Sequence, residues 1–175
     1  MQITNVICPE SKYPTKCPDV TEKDGICIHN TYNDASAMSE VSYMLGRPEK
    51  VSFHAAVDNY RIVTGLPFER SCYAAGDGRY GKGNAHKINI EICYSRSGGK
   101  QFEEAEKLAA EYTAYLLKEY DMAADRAIEN EGKSLSVGQR KKLLIMKMLL
   151  RIEEASVLIV DEIEAGLDQE TREKY

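Results

Sequence analysis

Ile26-Cys27-Ile28-His29-Asn30-Thr31-Tyr32-Asn33-Asp34 is a short apolar run that delivers one histidine into a polar, turn-forming segment. A second run, Ile88-Asn89-Ile90-Glu91-Ile92-Cys93-Tyr94, delivers a carboxylate in the same way. Short apolar runs bounded by turn residues read as buried strands. A side chain at a strand end is placed to act as a metal ligand or a base. From the residues alone, a lone strand-end histidine serves structure as readily as chemistry. Glu91, from the residues alone, reads first as a solvated or salt-bridged carboxylate at a strand edge.

Working outward, Asn33-Asp34 predicts a helix N-cap, with the helix running from about Ala37 to Leu45 and ended by Gly46 to Pro48. Val41, Met44 and Leu45 would share its buried side. Val51 to Asp58 predicts a strand, and Tyr60 to Leu66 its hairpin partner. Residues 74 to 86 contain Gly76, Gly78, Gly81 and Gly83, the composition of a long flexible loop of the kind that borders grooves. From Phe102 to Tyr120, the residues Phe102, Ala105, Leu108, Ala109, Tyr112, Leu116 and Tyr120 repeat at three or four, which predicts an amphipathic helix. Residues 1 to 25, with Pro9, Pro14, Pro18 and Gly25, read as an irregular lead-in. The alternation of strands and helices predicts an α/β fold, a mixed central sheet flanked by helices.

The totals bound the function. A length of 175 residues suits one domain, or one domain plus an appendage. The net charge of −5 argues against nucleic acid, since only Arg140-Lys141-Lys142 forms a basic cluster. No apolar run reaches the roughly 18 residues of a membrane span. Met1-Gln2-Ile3-Thr4-Asn5 lacks the basic start and long apolar stretch of a secretory signal, so synthesis in the cytoplasm without a signal peptide is expected. The five cysteines are an odd number without a CxxC, the pattern of reduced thiols.

The ordered segments His29-Asn30-Thr31, Ser52-Phe53-His54 with Val57-Asp58, Gly76-Asp77-Gly78 and Ile90-Glu91-Ile92-Cys93-Tyr94-Ser95 carry a resemblance. Residues 11 to about 120 resemble the zinc-dependent N-acetylmuramoyl-L-alanine amidases of phage lysins and Bacillus autolysins, relatives of the peptidoglycan recognition proteins. The resemblance implies peptidoglycan as partner and Zn²⁺ as cofactor. It implies His29 as the first zinc ligand and Glu91 as general base on the bound water. It implies that Phe53 and His54 line the floor, and that Asn30, Thr31 and the loop holding Asp77 border the substrate groove. Zinc brings the pKa of bound water to about 7, and a nearby carboxylate can move its proton to the leaving amine. Such a protein acts on the cell wall once released from the cell. The family completes its zinc site beyond the long helix, with a second histidine and a cysteine. Here the three histidines are 29, 54 and 86, and the last cysteine is Cys93. Cys93 shares a strand face with Glu91 by the two-residue repeat.

From Ala123 the composition changes. Leu135-Ser136-Val137-Gly138-Gln139 opens a helical stretch, and Val157-Leu158-Ile159-Val160-Asp161-Glu162 reads as a buried strand ending in two carboxylates. Ala165-Gly166-Leu167-Asp168 follows as a turn. Residues 134 to 168 resemble part of an ATP-binding cassette (ABC) ATPase: the signature motif (Ser136, Gly138, Gln139), the Walker B strand (Asp161, Glu162) and the D-loop (Asp168). The phosphate-cradling loop G-x-x-x-x-G-K-[ST] is absent, so ATP and Mg²⁺ are not expected to bind this chain alone.

The expected organisation is an amidase-like domain over 1–122 and an ABC ATPase-like helix–strand–helix fragment over 123–175, the pattern of a fusion or chimera. Three functions follow: a cell-wall amidase, a peptidoglycan-binding module without catalysis, and an ATPase fragment. Metal content separates the first two, and nucleotide binding tests the third.

Overall fold

The structure, a computed structural model, describes residues 1–120, Met122 and the backbone of residues 159–160. Among the described residues, six strands form one mixed sheet: β1 (Gln2–Asn5), β2 (Gly25–Asn30), β3 (Ala55–Val57), β4 (Arg61–Thr64), β5 (Lys87–Ile92) and β6 (Ile159–Val160). Their spatial order is β1-β4-β3-β5-β2-β6. Among these described strands the β3–β4 hairpin pairs antiparallel, and the other four pairings are parallel. Helices α1 (Tyr13–Lys16), α2 (Ala37–Gly46), α3 (Lys82–His86) and α4 (Gly99–Glu119) lie between them in sequence. The mixed sheet with flanking helices agrees with expectation.

Both faces of the sheet are covered, so the strands read as continuous apolar runs. Alternation along β5 sorts the two layers. Ile88, Ile90 and Ile92 join Ile26 and Ile28 of β2 in a core with Phe102, Ala105, Ala109, Tyr112 and Leu116 of α4. The large apolar side chains there each stabilise by about 1.5–3 kcal/mol on burial. Cys93 points to the other layer, among Val41, Met44 and Leu45 of α2 with Ala56 and Val63. The chemistry-bearing residues of β2 and β5 occupy the alternate positions that face α2.

Four local expectations change. The α2 N-cap is Ser36, whose Oγ accepts from Ser39 N–H at 3.3 Å. Asn33 and Asp34 have other tasks: Asn33 Oδ1 accepts from Ala35 N–H at 2.8 Å, and Asp34 accepts from Ser97 N–H at 2.9 Å. The lead-in contains β1, an edge strand paired in register from Gln2↔Arg61 to Asn5↔Thr64. The strand expected over 51–58 narrows to Ala55–Val57, with Ser52 making an isolated bridge to Tyr73.

Residues 74 to 86 form a hydrogen-bonded turn leading into α3 rather than a loose loop. Asp77 accepts from Gly83 N–H at 2.7 Å and Asn84 N–H at 3.3 Å. Asn84 Oδ1 accepts from the N–H groups of Ala74 and Ala75, each at 2.8 Å. Gly81 is required for closeness: a Cβ there would sit 2.1 Å from Asp77 Cγ.

Ile159–Val160 continues the sheet beyond β2, pairing Cys27↔Ile159 and Ile28↔Val160. The remaining ATPase-like positions, Ser136, Gly138, Gln139, Asp161, Glu162 and Asp168, lie outside the described residues, as does most of the 123–175 segment. Among the described residues no helix is long and apolar enough to cross a membrane.

Candidate functional site

His29 and Glu91 stand at the same level on adjacent parallel strands, paired His29↔Glu91. Such strands lie about 4.8 Å apart, and side chains at one level point to one face. That face is the α2 side, opposite the isoleucines. Both strands end immediately afterwards at tyrosines in the left-handed region, Tyr32 at φ 57° and Tyr94 at φ 62°. A backbone state of this kind costs on the order of 1 kcal/mol outside glycine. Local hydrogen bonds hold it: Tyr32 N–H donates to Ser95 Oγ at 2.7 Å, and Thr31 N–H to Ile92 O at 3.1 Å.

A cleft of about 350 Å³ opens between α2 and the sheet at this end. Four residues singled out from sequence line it together: Glu91, Asn30, Thr31 and Phe53. Glu40 and Tyr43 of α2 and Lys16 of α1 line it as well, and sequence reasoning missed all three. Glu40 accepts from Asn33 Nδ2 at 2.7 Å, tying the helix to the strand-end turn. Lys16 is 1% exposed, and its Nζ donates to Glu49 O at 2.7 Å and Val51 O at 3.0 Å. Burial lowers its pKa, with nearby Glu49 opposing that shift. A lysine in a proline-rich lead-in gives no sequence signal for such a role. The Glu40 position on the buried side of α2 could have been found from helical spacing, four residues before Met44.

His54 does not line the cleft. It is fully buried, with Nε2 2.8 Å from Arg70 O and Nδ1 accepting from Asn89 N–H at 2.9 Å. Both ring nitrogens are thereby engaged. Desolvation, reinforced by the charge of Lys23, pushes its pKa down to about 3, so the ring stays neutral. Its expected place on the floor is corrected: it is a core residue. Asp77 also stands apart from the cleft and braces the turn before α3. His86 ends α3 at the opposite end of β5, its Nδ1 3.1 Å from Glu22 O.

The donor set can be tested against the zinc that the resemblance implies. A catalytic zinc needs three protein ligands. Among the described residues no group of three His, Cys, Asp or Glu side chains could hold a metal. His54 has no free ring nitrogen, and His86 is at the wrong end of its strand. Cys93 faces the same layer as Glu91, as expected, but is 0% exposed in the α2 core. Burial holds its thiol protonated by pushing its pKa far up. His29 is the one histidine placed beside Glu91, and the described residues do not fit a complete zinc site.

Comparisons with known proteins agree with this architecture. The N-acetylmuramoyl-L-alanine amidase family matches residues 19–142. Its match runs past residue 122 and over the stretch containing Ser136, Gly138 and Gln139. The chain is 48% identical over 122 residues to the N-acetylmuramoyl-L-alanine amidase XlyB of Bacillus subtilis strain 168, covering 70% of this chain and 38% of that protein. It is 43% identical over 131 residues to the amidase CwlA of the same strain, covering 75% of this chain and 48% of that protein. The chain thus spans less than half the length of these curated relatives. Among solved structures, PlyL aligns with a TM-score of 0.71 at 35% identity, over 90% of this chain and all of that one (100%). The PlyG catalytic domain aligns with a TM-score of 0.74 at 33% identity, over 91% of this chain and 99% of that one.

Proposed function

Because the chain belongs to the N-acetylmuramoyl-L-alanine amidase family, we propose that it hydrolyses peptidoglycan at the amide joining the lactyl group of muramic acid to L-alanine. The observation that supports this reading most is Glu91 in the wall of the cleft, level with His29 on the neighbouring strand. Glu91 is the proposed general base. Water oxygen attacks the amide carbonyl carbon while Glu91 takes its proton. The C–N bond then breaks, and Glu91 returns that proton to the leaving amine. The products are a lactyl carboxylate and a peptide with a free N-terminal L-alanine.

Asn30 and Thr31 supply hydrogen-bonding groups at the cleft rim, and Phe53 and Tyr43 supply apolar surface. This pairing suits a substrate made of sugar and peptide. His29 is proposed as a metal ligand, in line with the family resemblance. As one such donor among the described residues, it leaves the proton transfer by Glu91 as the chemistry this chain's own groups carry.

The donor set also supports a second reading, a module that binds peptidoglycan without cleaving it. The two part on one experiment: purified protein is incubated with cell walls, and the soluble fraction is analysed for peptides beginning with L-alanine. Their release supports the amidase, and co-sedimentation without release supports the binding module.

For the ATPase-like segment, we propose a scaffolding role. The pairing of Ile159–Val160 with β2 favours it, since this strand extends the sheet beside the site. No change in nucleotide fluorescence on titration with the chain is the expected result.

A further inference from the structure

Asn89 touches two histidines, His29 of β2 and His54 just before β3. Its backbone N–H donates to His54 Nδ1 at 2.9 Å, and its backbone carbonyl accepts from His54 N–H at 2.9 Å. Its side-chain Oδ1 lies 2.8 Å from His29 Nε2. The other half of the amide is already committed: Nδ2 donates to Gly83 O at 2.9 Å and to Lys87 O at 3.1 Å. Turning the amide over would set its oxygen against those two carbonyls, so the hydrogen-bond network fixes one orientation. An amide oxygen has no proton to give. The donor in the 2.8 Å contact is therefore His29 Nε2–H. A neutral imidazole carries one proton, so Nδ1 keeps the lone pair.

We propose that Asn89 is a positioning residue that holds His29 as the Nε2–H tautomer and leaves Nδ1 as the ring's single nitrogen with a free lone pair. Asn89 is 0% exposed, so water does not compete for its amide. The carbonyl that anchors it belongs to Gly83, whose own N–H is held by Asp77 at 2.7 Å. The braced turn before α3 thus acts at a distance from the cleft, through Asn89, on the ring beside Glu91. What this does for turnover rests on the amidase reading; the position of the proton does not.

The test is a long-range proton–nitrogen correlation spectrum of the whole chain labelled with ¹⁵N-histidine, in mildly alkaline buffer where an unperturbed imidazole is neutral. Three histidines give three ring patterns, assigned with His29→Gln and His86→Gln. In the unaltered protein His29 should show a single pattern with the proton on Nε2. In Asn89→Leu, which removes the acceptor, it should become a mixture of both tautomers. In Asn89→Asp, which keeps an acceptor oxygen, the Nε2–H pattern should persist. His54 is the fold control, because its partners are Asn89 backbone atoms and Arg70 O. A proton on Nδ1 of His29 in the unaltered protein overturns the proposal, and this result needs no variant to fold. So does an unchanged His29 pattern in Asn89→Leu when the His54 pattern is intact.

Peptide release from cell walls is measured alongside. If the unaltered protein is active, Asn89→Leu should lose roughly 10²-fold in rate, the cost of misplacing a reacting group by ~1 Å, and Asn89→Asp should recover part of it. An inactive protein with a locked His29 removes the amidase reading and leaves the tautomer assignment standing.

Discussion

Asp58 and Ala37 join the β3–β4 turn to the start of α2: the Asp58 Oδ2 atom accepts the Ala37 N–H at 3.1 Å. Asp58 is 0% exposed, and its Oδ1 also accepts from Tyr60 N–H at 3.1 Å and Arg61 N–H at 2.9 Å. One carboxylate therefore fixes the hairpin and the helix that forms a wall of the cleft. Asp58→Ala leaves buried donors unsatisfied and should destabilise the chain by roughly 3–5 kcal/mol. Asp58→Asn, which can still accept, should cost less. Urea unfolding of both variants checks this, and equal midpoints for the two would contradict it.

Acid should weaken the fold through His54. Its pKa is pushed from 6.5 to about 3 in the folded chain, chiefly by burial. The unfolded chain therefore binds a proton that the folded chain refuses. Stability from this group is complete above 6.5 and is lost as pH falls from 6.5 toward about 3. The slope is at most ~1.4 kcal/mol per pH unit. Unfolding free energies across that window should rise with pH, and the slope should flatten in His54→Gln. An identical slope in the variant would show that other groups cause it.

The thiols should be silent in the native state. All five cysteines are buried outside any disulfide. Burial raises the Cys17 thiol to about 11 and the Cys72 thiol to about 12. The thiolate is the reactive form. A chromogenic disulfide reagent should therefore titrate almost no thiol in native protein and all five in denaturant. Rapid native reaction of one or more thiols would contradict their burial.

Ending the chain at Met122 removes β6 and bares the backbone edge of β2 over Cys27 and Ile28. An uncovered edge strand is a template for pairing with another chain. The shortened protein should self-associate at concentrations where the full chain does not, as read by light scattering. Equal behaviour of the two would remove the scaffolding role proposed for residues 159–160.

The parts of this fold legible in the sequence are those set by local periodicity. The helix expected over 102–120 forms as Gly99–Glu119, because its apolar spacing matches a single buried face. The strands bearing His29 and Glu91 were readable from their bounded apolar runs, and Glu91, Asn30, Thr31 and Phe53 do meet in one cleft. His54 was misplaced because it lies just before β3 and is held in the core by long-range partners, Arg70 O and Asn89 N–H, that its own sequence neighbours do not reveal. The order in residues 74–86 was hidden because it comes from Asp77 and Asn84 side chains bonding backbone groups several residues away. Lys16 and β1 were hidden because long-range contacts, rather than their own sequence pattern, place them. Asn89 was open to view: it sits two residues before Glu91 on the same strand face, a buried polar residue between two isoleucines.

Glu91 is proposed to move the proton in hydrolysis of the lactyl–L-alanine amide. The direct measurement is mass spectrometry of soluble products from purified cell walls treated with the unaltered chain and with Glu91→Gln. Peptides with free N-terminal L-alanine are expected from the unaltered chain. The variant should be slower by roughly 10²–10⁴-fold, the usual contribution of a general base, with unfolding midpoints nearly equal. Release of such peptides at the same rate by both proteins, or by neither, would contradict this role for Glu91.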